Sequence, residues 1–282
     1  MRDAAGLPLA LSVLTVVIVL SGCDSAGPTG PTASNPPPTP GRHDVSIPGA
    51  GVVIGALLFR PETTGARPAI VVIHGWLPPG SNGLAVHEAR ARRYADEGYV
   101  SVTLAMRGWL PSGGEDDCGL RQPDDVFAVV EWLRAQPGIV ADRIGLVGFS
   151  QGGQVALLAA ARDSRLQVVV AYFPVTDVAR WKITTNHPDI PSYIAAVCEP
   201  EVAPRSPLLR ADQISARVLL VHGDRDVRVP TEQSQLLHAA RASRGLPSEL
   251  LLVPGAEHGF TAAQEAFARP VVDQFLAERL RQ

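Results

Sequence analysis

The chain has 282 residues, 46% of them hydrophobic, and a formal net charge of −3. That is enough for one sizeable α/β domain or two small ones. No basic run is present, which removes the electrostatic footprint of a nucleic-acid binder. The cysteines, Cys23, Cys118 and Cys198, offer no zinc-type spacing.

The first apolar run, Leu7 to Leu20, is broken only by Pro8, Ser12 and Thr15. It is short for a bilayer span and has the form of a signal-peptide core. It ends in Leu20-Ser21-Gly22-Cys23, which resembles a bacterial lipobox. The resemblance implies export, cleavage before Cys23 and lipidation of Cys23, so that a lipid anchor holds the mature chain on the extracytoplasmic side of a membrane. An ordinary cleaved signal or an uncleaved anchor are the alternatives. The Pro-rich stretch that follows cannot bury apolar surface and reads as an extended spacer. The expected organisation is a signal peptide over 1–22, a linker over 23–42 and one domain over 43–282.

His43 to Ile47 and Val52 to Phe59 read as an antiparallel hairpin around a Pro-Gly-Ala-Gly turn. Pro68 to Ile73 is wholly apolar and suits a central strand buried on both faces. It runs into His74-Gly75-Trp76. Gly80 to Gly83 reads as a flexible loop over the site mouth, Val86 to Gly98 as an amphipathic helix, and Tyr99 to Ala105 as a strand. Arg107-Gly-Trp-Leu-Pro-Ser112 follows. Glu115-Asp116-Asp117 reads as a solvated acidic loop. Pro123 to Arg134 reads as a helix with Asp124 and Asp125 in its first turn, where acids are favoured.

Ile144 to Val147 is of strand type and Gln154 to Ala161 of helix type. Between them lies Gly148-Phe149-Ser150-Gln151-Gly152, a Gly-x-Ser-x-Gly elbow in the strand–turn–helix setting that gives the pattern meaning. Leu166 to Phe173 is the next strand. Residues 176–212, rich in proline, interrupt the alternation and read as a short lid, with Trp181, His187 and Tyr193 placed to line a pocket or to pack the lid. Ala216 to Val221 leads into His222-Gly-Asp224-Arg-Asp226-Val-Arg-Val-Pro230. Leu250 to Val253 leads into Glu257-His258-Gly259, and a helix runs from about Gln264 to the C-terminus.

Taken together, the His74 turn, the Ser150 elbow, the Asp226 loop and the His258 loop resemble an α/β-hydrolase. The nearest groups are dienelactone hydrolase and the prolyl oligopeptidase (S9) catalytic domain. In the Arg107 segment Leu110 stands where that pattern has a second glycine. The resemblance implies the α/β-hydrolase fold, a doubly wound, mostly parallel sheet with a short lid insertion. It implies Ser150 as nucleophile, His258 as general base and Asp226 as the acid that orients it, in the chain order Ser, Asp, His. Asp224 competes for the acid role. The backbone N–H groups of Trp76 and Gln151 would form the oxyanion hole, with His74 bracing the loop. In an exported protein Cys118 and Cys198 are able to pair. No metal or cofactor is implied.

The expected activity is ester hydrolysis through an acyl-enzyme. A short-peptide substrate is the alternative, and an inactive surface-binding lipoprotein a lesser one. The partners are then a small ester or peptide and, through Cys23, a membrane.

Overall fold

The computed structural model describes residues 39–282. The expected signal peptide, Cys23 with its expected lipidation, and most of the expected spacer lie outside the described residues. Among the described residues eight strands are formed: β1 (Gly41–Pro48), β2 (Val53–Arg60), β3 (Arg67–Ile73), β4 (Val100–Leu104), β5 (Ile139–Phe149), β6 (Val168–Tyr172), β7 (Arg217–Gly223) and β8 (Ser248–Val253). They form a single sheet in the order β1-β2-β4-β3-β5-β6-β7-β8. β1 pairs antiparallel with β2, and β2 with β4. The remaining pairs are parallel.

Both faces of the sheet are covered, and β3 shows why its sequence is apolar throughout. Ala69, Val71 and Ile73 face one core, packed with Val129 and Leu133 of α2 (Gln122–Arg134) and Val155 of α3 (Gln151–Ala160). Ile70 and Val72 face the other, packed with Tyr94 of α1 (Glu88–Asp96) and other apolar side chains. Alternate side chains of a strand point to opposite faces, so a strand sandwiched between helices has no polar side. Each such Val, Ile or Leu stabilises the fold by about 1.5–3 kcal/mol on burial.

The lid expected over 176–212 consists of short pieces: α4 (Val178–Thr184), α5 (Ile190–Tyr193), a π-helical turn Ile194–Cys198 and a 3-10 turn Pro207–Arg210. α6 (Glu232–Ala242) and α7 (Ala262–Leu280) complete the chain. Among the described residues no helix is long and apolar enough to cross a membrane.

The lid is fastened on two sides. Trp181 Nε1 and Thr185 Oγ1 both donate to the Arg228 carbonyl, at 2.7 and 2.9 Å. On the other side a disulfide joins Cys198 to Cys118, with Cα atoms 5.3 Å apart and a separation of 80 positions in sequence. Arg205 Nε adds a hydrogen bond to the Asp117 carbonyl at 3.0 Å. A crosslink closing so long a loop restricts the unfolded chain. The Cys118→Ser/Cys198→Ser variant is expected to lose about 2–4 kcal/mol, read as a lower urea midpoint than wild type under non-reducing conditions.

Candidate active site

The strand-to-helix turn at Ser150 is as tight as two glycines allow. A Cβ on Gly148 would stand 2.2 Å from the Gly152 carbonyl oxygen, and one on Gly152 would stand 2.3 Å from that of His74. Ser150 itself takes φ 53°, ψ −117°, a conformation that costs about 1–3 kcal/mol outside glycine. The Ser150 N–H donates to the Tyr172 carbonyl at 2.9 Å. This holds the strained residue on β6 and leaves the hydroxyl above the C-terminal edge of the sheet.

The β7 and β8 loops bring the other two predicted side chains to that hydroxyl. His258 Nε2 lies 2.9 Å from Ser150 Oγ, and His258 Nδ1 lies 2.7 Å from Asp226 Oδ2. A carboxylate only accepts, so Nδ1 carries the ring proton and Nε2 is left to accept from Ser150. Asp226 Oδ1 accepts from the backbone N–H groups of Arg228 and Val229 at 3.0 and 2.9 Å. Burial alone would push the Asp226 carboxyl up, but hydrogen bonds from His222 and His258 outweigh it and hold the group at about 2. Asp224 is exposed and accepts instead from the Gly255 N–H at 2.7 Å. The geometry therefore separates the two acids.

Gln151 is the first residue of α3, and both it and Trp76 line a cavity of 490 Å³ beside Ser150. Among the described residues neither backbone N–H has an acceptor. His74 sets the loop that carries Trp76. Its Nε2 accepts from the Met106 N–H at 3.1 Å, so its Nδ1 donates to the Gly75 carbonyl at 2.6 Å. The ring is fully buried, edge-on to Trp109. Burial pushes the His74 imidazole down to about 4 from an ordinary 6.5.

As pH falls, the unfolded chain therefore binds this proton first. The stability tied to a neutral His74 is complete above about pH 6.5 and is lost as pH falls towards about 4. Wild type is expected to lose about 3 kcal/mol more than His74→Gln over that window, measured by urea unfolding at the two ends.

Trp181, His187 and Tyr193 all line the cavity. Two readings need correction. The acidic run after β4 is not a solvated loop beyond Glu115. Asp116 accepts from Gln151 Nε2 at 2.7 Å and from Tyr193 Oη at 2.8 Å. Asp117 is buried and accepts from the Leu120 and Arg121 N–H groups at 3.0 and 3.1 Å. Nor do residues 80–83 cover the mouth. Gly83 is buried, its N–H donates to the Leu110 carbonyl at 2.9 Å, and a Cβ there would stand 2.7 Å from His74 Nε2.

Three site residues escaped the sequence reading. His87 lines the cavity and stacks on Phe149 at 4.1 Å. Arg228 also lines it, with Nη2 3.0 Å from His187 Nε2. His222 is fully buried under the acid loop. Its Nε2 donates to the Val229 carbonyl at 2.8 Å and lies 3.4 Å from Asp226 Oδ2, while its Nδ1 meets Ser234 Oγ at 2.7 Å. It thereby fixes the turn that presents Asp226.

The sequence and the fold have counterparts among known proteins. The model of the prolyl oligopeptidase family, Peptidase_S9, matches residues 87–280. "Uncharacterized peptidase YuxL" of Bacillus subtilis is 29% identical over 78% of this chain, a match spanning 36% of that protein. "Putative carboxymethylenebutenolidase" of Synechocystis is 23% identical over 79% of this chain and 87% of its own length. Among solved structures, a puromycin-hydrolysing peptidase of Mycobacterium tuberculosis superposes with TM-score 0.76 at 21% identity, over 85% of this chain and 39% of that one. The chain thus spans well under half of the two peptidases, and the likeness to the mycobacterial structure is one of fold.

Proposed function

The chain belongs to the prolyl oligopeptidase family of serine hydrolases, and from that premise we propose that it hydrolyses carboxylic esters by two-step acyl transfer through Ser150. The observation that carries the reading is the unbroken line from Asp226 Oδ2 through His258 to Ser150 Oγ, with links of 2.7 and 2.9 Å. Ser150 Oγ attacks the ester carbonyl and His258 Nε2 takes its proton. The Trp76 and Gln151 N–H groups hold the oxyanion that forms, often the largest catalytic contribution. His258 returns the proton to the departing alcohol. Water then repeats the sequence on the acyl-enzyme and frees Ser150.

The cavity favours an ester over a peptide with a free N-terminus. Val175, Trp181, Ile190 and Phe260 give it apolar walls. Of the lining acids, Glu265 is paired with Arg90 at 2.7 Å and Asp189 sits on the exposed rim, so neither is placed to hold an ammonium group in the interior. Similarity to the Synechocystis protein over most of its length supports the same choice. Short-peptide hydrolysis is the second reading, favoured by the family itself. A catalytically inactive binding role does not fit a serine hydrolase with this arrangement. Export and lipid anchoring at Cys23 remain part of the proposal and rest on the Leu20–Cys23 motif.

The test is a panel of short- and long-chain esters beside Ala- and Pro-containing peptide amides, run on wild type and Ser150→Ala. Ester turnover that disappears in the variant is expected. Selective amide turnover would move the protein to the peptidase reading, and equal rates in both proteins would remove Ser150 as nucleophile.

A further inference from the structure

Asp116 does not line the Ser150 cavity, yet its carboxylate gathers four donors just behind the cavity wall. Two of them fix Asp116 itself. Oδ1 accepts from the Cys118 N–H and from Gln122 Nε2, at the start of α2, each at 3.0 Å. Gln122 is fully buried, and its Oε1 accepts from the Gly119 N–H at 2.7 Å. The other two donors belong to the site. Oδ1 accepts from Gln151 Nε2 at 2.7 Å, and Oδ2 accepts from Tyr193 Oη at 2.8 Å.

Gln151 has little else to hold its side chain. It is 5% exposed, and its buried Oε1 has no donor among the described residues. Its Nε2 otherwise reaches Gln122 Oε1 at 3.2 Å and Tyr193 Oη at 3.4 Å. The bond to Asp116 is the shortest of the three and the one made to an ionised acceptor, the stronger kind. Without it a buried amide is left under-satisfied, which is costly, and the first residue of α3 is free to turn outward.

Trp76 is reached through Tyr193. Trp76 is 43% exposed, and the Tyr193 ring meets it edge-on with centroids 6.1 Å apart. Burial and the Asp116 carboxylate push the Tyr193 hydroxyl up, so it stays protonated and donates to Oδ2. The next residue in the loop behaves differently. The Asp117 carboxylate accepts from the Leu120 and Arg121 N–H groups and from Arg121 Nε, all beside the start of α2.

We propose that Asp116 is a positioning residue for the hydrolytic step, one carboxylate that sets both N–H groups of the oxyanion hole through the side chains of Gln151 and Tyr193. This rests on the reading of Ser150 as nucleophile with Trp76 and Gln151 as donors, and is independent of the choice between ester and peptide.

The test is the rate at which Ser150 displaces fluoride from a fluorophosphonate, whose phosphoryl oxygen must enter the same hole, measured on the full-length protein beside ester kinetics. Asp116→Leu has a similar shape and no acceptors. It should be labelled about 10–100-fold more slowly than wild type, with kcat reduced likewise and KM little changed. The Cys118–Cys198 disulfide keeps the lid tethered in this variant, so the loss is not one of lid attachment. Asp116→Asn should stay within about 3-fold of wild type. The three donors on Oδ1 hold the amide oxygen there, and its NH₂ then donates to Tyr193 Oη. Asp117→Asn should also stay within about 3-fold, because its contacts end at α2.

Should Asp116→Leu fail to fold, Gln151→Met, which loses the amide, and Tyr193→Phe, which keeps the ring, are read in its place. Each should slow labelling, and adding Asp116→Leu to the pair should slow it no further, since both routes are already cut. Labelling of Asp116→Leu at the wild-type rate, an equal loss in Asp117→Asn, or wild-type rates in both Gln151→Met and Tyr193→Phe would overturn the proposal and leave Ser150 as nucleophile. A wild type that is not labelled, or a Ser150→Ala variant labelled equally, would remove the nucleophile and the proposal with it.

Discussion

Asp226→Asn is expected to lower kcat on the order of 10⁴-fold with KM little changed. The reason lies in how the carboxylate is held. Oδ1 accepts from two backbone N–H groups, those of Arg228 and Val229. An asparagine must keep its oxygen there, because turning its amide would aim N–H groups at N–H groups. Its NH₂ then occupies the Oδ2 position, 2.7 Å from His258 Nδ1. Facing a donor, Nδ1 becomes the acceptor and the ring proton moves to Nε2. That atom lies 2.9 Å from Ser150 Oγ and no longer accepts its proton. His222 Nε2–H, 3.4 Å from the same position, opposes the NH₂ as well.

Asp224→Asn serves as the control. The side chain of that residue accepts from the Gly255 N–H on the surface, and the variant's kcat should stay within about 3-fold of wild type, as expected of a substitution costing ~0.5 kcal/mol. Steady-state ester kinetics on both variants decide the matter. An Asp226→Asn enzyme within about 10-fold of wild type, a change of ~1.4 kcal/mol, would mean that another group orients His258.

How much of this was readable beforehand varies with the kind of signal. Strands buried on both faces announce themselves, because every position must be apolar; β3 and β6 were placed to within two residues. The elbow was readable because its glycines are demanded by backbone contacts near 2.2 Å, which no other residue survives. α6 went unseen because its inward face is largely polar: Gln233, Ser234 and Arg241 are buried there beside Leu237, so the helical period of apolar residues is missing. The polar face has a use, since Gln233 Oε1 accepts from the Thr176 and Asp177 N–H groups at 2.9 and 2.8 Å.

The same limit hid the roles of His222, Asp116 and His87. Asp116 and His87 meet partners far away in sequence, His222 meets Val229 and Ser234 only through the fold of the loop between them, and a lone histidine or aspartate carries no period. Asp116 sits 35 residues from Gln151 and 77 from Tyr193 along the chain. The lost glycine at Leu110 turns out to matter little, since that side chain is 55% exposed and meets no packing constraint. Arg107 and Ser112, which match the family pattern, are buried, as is Trp109 between them.

Arg107 explains why the segment is kept, and Asp125→Leu tests it. The two side chains are 1% and 0% exposed and bond at 2.6 and 2.9 Å in a two-pronged contact. The Arg107 N–H joins the same carboxylate at 3.2 Å, and Nη2 also reaches the Ala50 carbonyl at 3.2 Å. One ion pair thus ties the first turn of α2 to the end of β4 and to the β1–β2 turn. Through the neighbouring Trp109, whose Nε1 donates to the Leu77 carbonyl at 2.9 Å, it also steadies the loop that presents Trp76.

Asp125→Leu leaves a guanidinium buried without its counter-charge, a loss of about 3–5 kcal/mol. Arg107→Met alone strands the carboxylate at similar cost. The double variant replaces both charges with apolar groups and should recover most of the stability, because the desolvation penalty disappears with the pair. Urea midpoints of the four proteins at unchanged slope give the coupling directly. Single variants within about 1 kcal/mol of wild type would mean that water reaches the pair and screens it. A double variant no better than the singles would mean instead that the pair's geometry, rather than the cost of one unpaired charge, holds the Trp109 loop against the sheet.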